Sequence, residues 1–152
     1  MGEELGKIRR AGKDDIPVLG GLLGHLFAQE AEFVPDPEKQ ARGLRMILDQ
    51  PDSGLLLVAE TADGVVGMVS VLFSISTAEG GRVGWLEDMI VDPAHRGTGI
   101  GQRLLRSAIK QARTAGCLRL TLLTDSDNIA AVCFYTRAGF IGSPMIPLRM
   151  KL

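Results

Sequence analysis

Apolar residues change their spacing several times along the chain, and each change predicts an element. Residues 7–10 read as a short first strand. Ile16, Leu19, Leu23, Leu26 and Phe27 then recur at helical spacing behind Asp14, a capping residue type, with Pro17 in the first turn. Gly20, Gly21 and Gly24 weaken that helix, so packing must hold it. Asp36-Pro37 starts a second helix, with Leu44, Ile47 and Leu48 on its inner face. Two apolar runs, 55–61 and 65–74, flank Ala62-Asp63-Gly64 and predict a hairpin. Residues 77–81 read as a loop and 83–91 as a fourth strand, which Asp92-Pro93 ends because proline cannot donate to a ladder. An amphipathic stretch, 99–115, predicts a third helix that stops at Gly116. Residues 118–124 give a fifth strand. Asp127 or Asn128 opens a fourth helix ending at Ala138-Gly139, and a last strand or pair is expected over 140–152, interrupted by Pro144 and Pro147. The order β-α-α-β-β-β-α-β-α-β is α/β, one mixed sheet covered by helices.

Between the fourth strand and the third helix stands Arg96-Gly97-Thr98-Gly99-Ile100-Gly101. Bare backbone N–H groups at a helix N-terminus make a ready anion site. A Cβ would keep a phosphate from the main chain, and some of these turns need positive φ. One glycine would shape a strand-to-helix turn; three at alternating positions behind an arginine point to anion binding. A dinucleotide-binding fold is the nearest rival, and Asp125 even imitates its ribose-binding acid. That fingerprint, however, wants Gly or Ala where this chain has Gln102, and five residues (92–96) separate the strand from the glycines here. A P-loop is excluded, because no Lys-Ser or Lys-Thr follows.

At 152 residues the chain reads as one domain, 1–152, large enough to bury a core. Lys+Arg 17 against Asp+Glu 18 gives a net charge of -1, without the basic excess of a protein that binds nucleic acid by bulk electrostatics. Cys117 and Cys133 fit neither a disulfide framework nor a metal-ligand spacing, and are expected to be reduced small hydrophobes in a cytoplasmic protein. The first six residues lack the pattern of a signal peptide and the hydroxyl residue that myristoylation wants. No apolar run approaches the ~20 residues of a membrane span, so a soluble protein is expected.

Arg96-x-x-Gly99-x-Gly101 resembles the acetyl-CoA loop of the GNAT superfamily of N-acetyltransferases. The string Trp85-Leu86-Glu87-Asp88-Met89-Ile90-Val91-Asp92-Pro93-Ala94-His95-Arg96-Gly97 is similar to the strand and loop of the diamine-acetylating branch. Downstream, Asn128-x-x-Ala131 and Phe134-Tyr135-x-x-x-Gly139-Phe140 resemble that superfamily's next helix and strand. The likeness runs from about residue 7 to 152, with its discriminating motifs between 85 and 140. It implies a GNAT-like mixed central sheet with helices on both faces, and an acetyl-CoA-dependent N-acetyltransferase acting on a primary amine of a small molecule or peptide by direct attack in a ternary complex.

Carried over residue by residue, the resemblance implies that the fourth strand bulges and splays from the fifth. The backbone of Met89, Ile90 and Val91 would then bond the pantetheine arm, and the N–H groups of Arg96, Gly97, Thr98, Gly99, Ile100 and Gly101 would hold the pyrophosphate. Asn128 would bond the arm, cap its own helix, or both. The matching position in the diamine-acetylating relatives makes Glu87 the first candidate for the base that takes the amine proton, with Asp88 second. An ion pair of Glu87 with Arg82 is the competing reading. Tyr135, the only tyrosine, falls where relatives keep the acid that meets the departing thiolate; the alternative is a core aromatic beside Phe134. Arg103, Arg106, Lys110 and Arg113 read as a solvated helix face, His95 as a surface loop residue and His25 as structural. Glu30, Glu32, Asp36 and Glu38 cluster where relatives roof the acceptor site, and would attract a polyamine, a basic amino acid or an aminoglycoside, unless they serve only helix ends and solvated faces. No metal, nucleic acid or membrane partner is expected, and a homodimer is left open. A non-catalytic acyl-CoA sensor using the same cleft is the alternative function.

Overall fold

The computed structural model describes residues 6–152, so the reading of the amino-terminal five lies outside the described residues. The elements are β1 (Lys7–Arg10), α1 (Ile16–Gln29), α2 (Pro37–Leu48), β2 (Gly54–Thr61), β3 (Gly64–Ser76), β4 (Gly81–Val91), α3 (Ile100–Thr114), β5 (Leu120–Leu122) and α4 (Ile129–Arg137). The strands form one sheet in the order β1-β2-β3-β4-β5. Among the described residues only β4 and β5 run parallel, joined by the crossover helix α3.

Side-chain alternation divides the core. Leu55, Leu57 and Ala59 of β2 meet Ile100, Leu104, Leu105 and Ala108 of α3 on one face. Leu56 and Val58 meet Leu19, Leu22, Leu23 and Leu44 of α1 and α2 on the other. A strand covered on both faces must be apolar at every position, which is why residues 55–59 read as an unbroken hydrophobic run. Helices therefore lie on both faces, as the resemblance implies.

Packing and polar ties hold the glycine-weakened α1. Its start is fixed by Asp15 rather than Asp14: the Asp15 carboxylate accepts from the Gly12 N–H at 2.8 Å and forms a two-pronged pair with Arg9 at 2.8 and 2.9 Å. Arg9 keeps that carboxyl below its ordinary range. Gln40, buried on α2, donates from Nε2 to the Gly20 carbonyl at 2.8 Å and accepts from the Asp36 N–H at 2.6 Å. That side chain locks α2 onto α1. Asp36 also caps α2 through the Lys39 N–H.

One expected element differs. Residues 141–152 carry no regular structure and do not extend the sheet beyond β5. Ile141, Met145, Ile146, Leu148, Met150 and Leu152 are instead largely exposed. Pro144 and Pro147 remove two ladder donors from this stretch. Among the described residues no helix is long and apolar enough to cross a membrane.

Candidate active site

The site begins as a defect in the sheet. Ser70 pairs with Asp88 and Val71 with Leu86, so Glu87 is an extra residue on β4 with nothing opposite it. Such a bulge bends the strand and increases its twist. Ser70, fully buried, fixes it by accepting the Asp88 N–H on Oγ at 3.1 Å. Sequence reasoning missed Ser70; the signal was a lone hydroxyl inside an apolar run.

The bulge lies where β4 parts from β5. Pairing between the two covers Gly84–Leu120, Trp85–Thr121 and Leu86–Leu122 and goes no further. At Gly84 the strands are pinched: a Cβ there would stand 2.6 Å from Leu120 and 2.9 Å from Val71. Beyond Leu86, β4 remains bonded to β3 through Val91 while its other edge stands open. Met89, Ile90 and Val91 thus lie beyond the point where the β4–β5 ladder ends. The Val91 carbonyl is engaged by Arg96, whose Nε donates to it at 3.1 Å.

After that stretch, residues 92–99 turn the chain into α3. Asp92 accepts the Ala94 N–H at 2.8 Å, Thr98 donates its hydroxyl to the His95 carbonyl at 2.6 Å, and Gly97 and Gly99 adopt φ of +78° and +88°. Gly99 is the residue before α3, and no side chain caps the helix. The N–H groups of the first helical turn have no intrahelical acceptors, and Gly97 leaves open space where a Cβ would sit. His95 is more than a surface residue: Nε2 lies 3.0 Å from Asp63 and ties this loop to the β2–β3 turn. His25, by contrast, is exposed on α1.

Around the bulge stand the titratable groups. Burial pushes the Asp88 carboxyl up to about 7, with the charges of Glu87 and Glu30 adding to the rise. Glu30 is itself raised, first by burial and then by Asp125, Glu87 and Glu32, with Arg149 opposing. The Tyr135 hydroxyl is pushed up to about 12 by burial and by Glu30. Its ring packs edge-on against Phe134 and Phe140, at 5.2 and 5.8 Å between centroids. Glu30, Glu87, Asp88 and Tyr135 therefore share one electrostatic environment, although they come from the residue after α1, from β4 and from α4. Glu87 is exposed while Asp88 is half-buried. Arg82 does not pair with Glu87; it donates to the Ala115 carbonyl at 3.2 Å and covers the Phe73 ring.

Asn128 caps α4, its side chain accepting the Ala131 N–H at 3.1 Å. On α3, Arg106, Lys110 and Arg113 are solvent-facing, and Arg103 reaches the Gly6 carbonyl at 2.8 Å. Of the acidic residues near the α1–α2 junction, Glu30 and Glu32 approach the site, Glu32 through Arg149 at 3.2 Å. Asp36 serves as a helix cap.

Residues 23–140 match the Acetyltransferase (GNAT) family, which is more than half of the chain. The chain belongs to the GNAT family. An uncharacterized N-acetyltransferase of Methanocaldococcus jannaschii is 31% identical over 134 residues, covering 88% of this GNAT chain and 59% of that protein. A glucosamine 6-phosphate N-acetyltransferase of Trypanosoma brucei brucei is 34% identical over 77 residues, 50% of each chain. The chain spans about half the length of the curated relatives it matches. Among solved structures, a putative acetyltransferase from Agrobacterium tumefaciens superposes with a TM-score of 0.80 at 26% identity, covering 95% of this GNAT chain and 99% of that one. A possible acetyltransferase from Clostridium difficile 630 shares the fold with a TM-score of 0.85 at 19% identity, over 96% and 97% of the two chains.

Proposed function

We propose that this GNAT domain moves an acetyl group from acetyl-CoA to the primary amine of a cationic small molecule or peptide, by direct attack within a ternary complex. The observation that carries this reading is the Asp88 carboxyl, raised to about 7 beside an open strand edge. An amine with a pKa of about 10.4 is neutral in only about one molecule in 10³ near neutrality, so a proton acceptor is required. A carboxylate with an affinity near the ambient pH serves best, being both available and basic. The environment thus favours Asp88 over the exposed Glu87, which the resemblance ranks first. Glu87 is suited to pass the proton on to water.

Acetyl-CoA supplies the activated thioester. On the protein side, the Arg96 N–H is taken by the Pro93 carbonyl, so the amides of residues 97–101 and the dipole of α3 suit its diphosphate, and the edge of β4 at Met89–Val91, open apart from the Val91 carbonyl that Arg96 holds, suits an amide-bearing arm laid along it. Asp88 takes one proton from the ammonium. The amine nitrogen then bonds to the acetyl carbon, the carbon–sulfur bond breaks, and the second amine proton accompanies the departing thiolate. Tyr135 at about 12 would give its proton to a thiolate of pKa about 8.5 only at a cost of ~5 kcal/mol. Its role is therefore a hydrogen bond that stabilises the developing sulfur charge.

The acceptor class follows from charge. Glu30, Glu32, Glu87 and Asp125 repel a phosphorylated amino sugar and attract an amine carrying further positive charge. A thiol-release screen across polyamines, basic amino acids, aminoglycosides, peptides and glucosamine 6-phosphate tests this. Turnover with cationic amines is expected. Tight acetyl-CoA binding without thiol release from any amine would make the domain a sensor, and preference for the phosphorylated sugar would overturn the acceptor assignment.

A further inference from the structure

The loop that turns β4 into α3 is shaped by short-range ties. The Ala94 N–H donates to the Asp92 carboxylate, Arg96 Nε to the Val91 carbonyl and the Thr98 hydroxyl to the His95 carbonyl. Among the described residues these side-chain bonds begin and end within 91–98. They curl the loop without fixing where it stands. Its start is anchored, because the Asp92 N–H donates to the Val66 carbonyl of β3 at 2.7 Å. After that anchor come Gly97 and Gly99, both at positive φ and both permissive in backbone conformation.

The His95 ring supplies a second anchor. Its Nε2 lies 3.0 Å from the Asp63 carboxylate of the β2–β3 turn. An ionised carboxylate only accepts, so Nε2 carries the hydrogen. Nδ1 faces Asp92 at 3.8 Å, too far for a hydrogen bond, and is buried with no hydrogen-bond partner among the described residues. The Asp63 bond is therefore what holds the ring. Asp63 is itself placed: its N–H donates to Thr61 Oγ1 at 3.1 Å, and Gly64 closes the turn at φ +98°. Sheet register brings this turn to the loop, since the start of β3 pairs with the end of β4, Gly67 opposite Val91.

We propose that His95 is a positioning residue for the coenzyme, which rests on the acetyl-CoA seat proposed above. Its bond to Asp63 fixes the backbone at residue 95. The Thr98 hydroxyl, bonded to the His95 carbonyl, carries that constraint across Gly97. The amides of residues 97–101 are thereby held ready for a diphosphate. The ring itself contacts neither the thioester nor the acceptor. A loop ordered in advance gives up less freedom when its ligand arrives, and losing that order over one residue weakens binding by about tenfold.

Calorimetric titration with coenzyme A tests this, with pantetheine, the same arm without the diphosphate, as the second probe. His95→Ala should weaken coenzyme A by about tenfold and leave pantetheine within about twofold. His95→Gln, which can offer an N–H to the same carboxylate, should recover most of the loss. The Asp63 side chain is 75% exposed, so Asp63→Ala removes no packing and leaves the fold intact. It should reproduce the loss, and the double variant should lose no more than either single one. A wild-type chain that binds both probes equally would remove the diphosphate seat and overturn the inference with it. Where the wild type prefers coenzyme A, unchanged affinity in both single variants, equal losses for the two probes, or additive losses in the double variant would overturn the inference alone.

Discussion

Replacing Asp88 by asparagine should stabilise the protein and disable it together, and the stabilisation should appear only as pH rises. An ordinary aspartate carboxyl titrates near 3.8 and Asp88 at about 7. Below the lower value both folded and unfolded chains hold the proton, and burial costs nothing. Above the upper value both have lost it, and the folded state alone carries a charge that is poorly hydrated and crowded by Glu87 and Glu30. At ~1.4 kcal/mol per tenfold change in proton affinity the ceiling is ~4 kcal/mol. Solvent reaching a half-buried side chain reduces this to ~2 kcal/mol. For a domain of this size that is a melting-temperature gain of ~4–8 °C. Asparagine keeps the shape of the neutral acid, and the backbone N–H still bonds Ser70. The assay is thermal denaturation of both proteins from about pH 4 to pH 8, with turnover measured alongside; removing a general base typically costs ~10²-fold or more. The difference in melting temperature should be near zero at the acid end, grow between about 4 and 7, and then level off. Parallel curves, or a wild type that gains on the variant as pH rises, would refute the assignment of Asp88 to a desolvated, negatively crowded site.

Tyr135→Phe should lower kcat by ~10-fold or more while leaving acetyl-CoA affinity within a factor of about two, as expected for a hydrogen bond made chiefly in the transition state; steady-state kinetics with equilibrium binding separates the two. Glu30→Lys with Glu32→Lys should raise KM for a polyamine by ~10-fold and leave KM for acetyl-CoA unaltered, and the effect should shrink in high salt. Gly99→Ala places a Cβ at φ +88° and should destabilise the domain by ~1 kcal/mol while weakening acetyl-CoA binding ~10-fold or more, read by calorimetry.

Local signals made most of the fold legible. The unbroken apolar run of β2, the Ala62-Asp63-Gly64 turn, the Asp36-Pro37 start and the amphipathic stripe of α3 each fix their element with nearest neighbours alone, and each is found where the pattern puts it. The glycine loop was readable because backbone access demands particular residues. What failed to show is nonlocal. The segment after α4 carries a strand's alternation but pairs with no strand among the described residues, and period alone cannot reveal whether a neighbour is present. Ser70 and Gln40 matter through single hydrogen bonds to distant backbone, which no spacing announces. The contrast between Glu87 and Asp88 depends on a bulge that inserts one residue, after which alternation no longer tells which side chain turns inward.

The central claim is that the edge of β4 beyond Leu86 and the amides after it form the seat of acetyl-CoA. A crystal structure of the protein with coenzyme A tests this most directly. The diphosphate should lie on the N–H groups of residues 97–101, with the arm beside Met89–Val91 and the sulfur directed toward Tyr135 and Asp88. Coenzyme A bound elsewhere, or no coenzyme A beside Met89–Val91 at saturating ligand, would contradict the account.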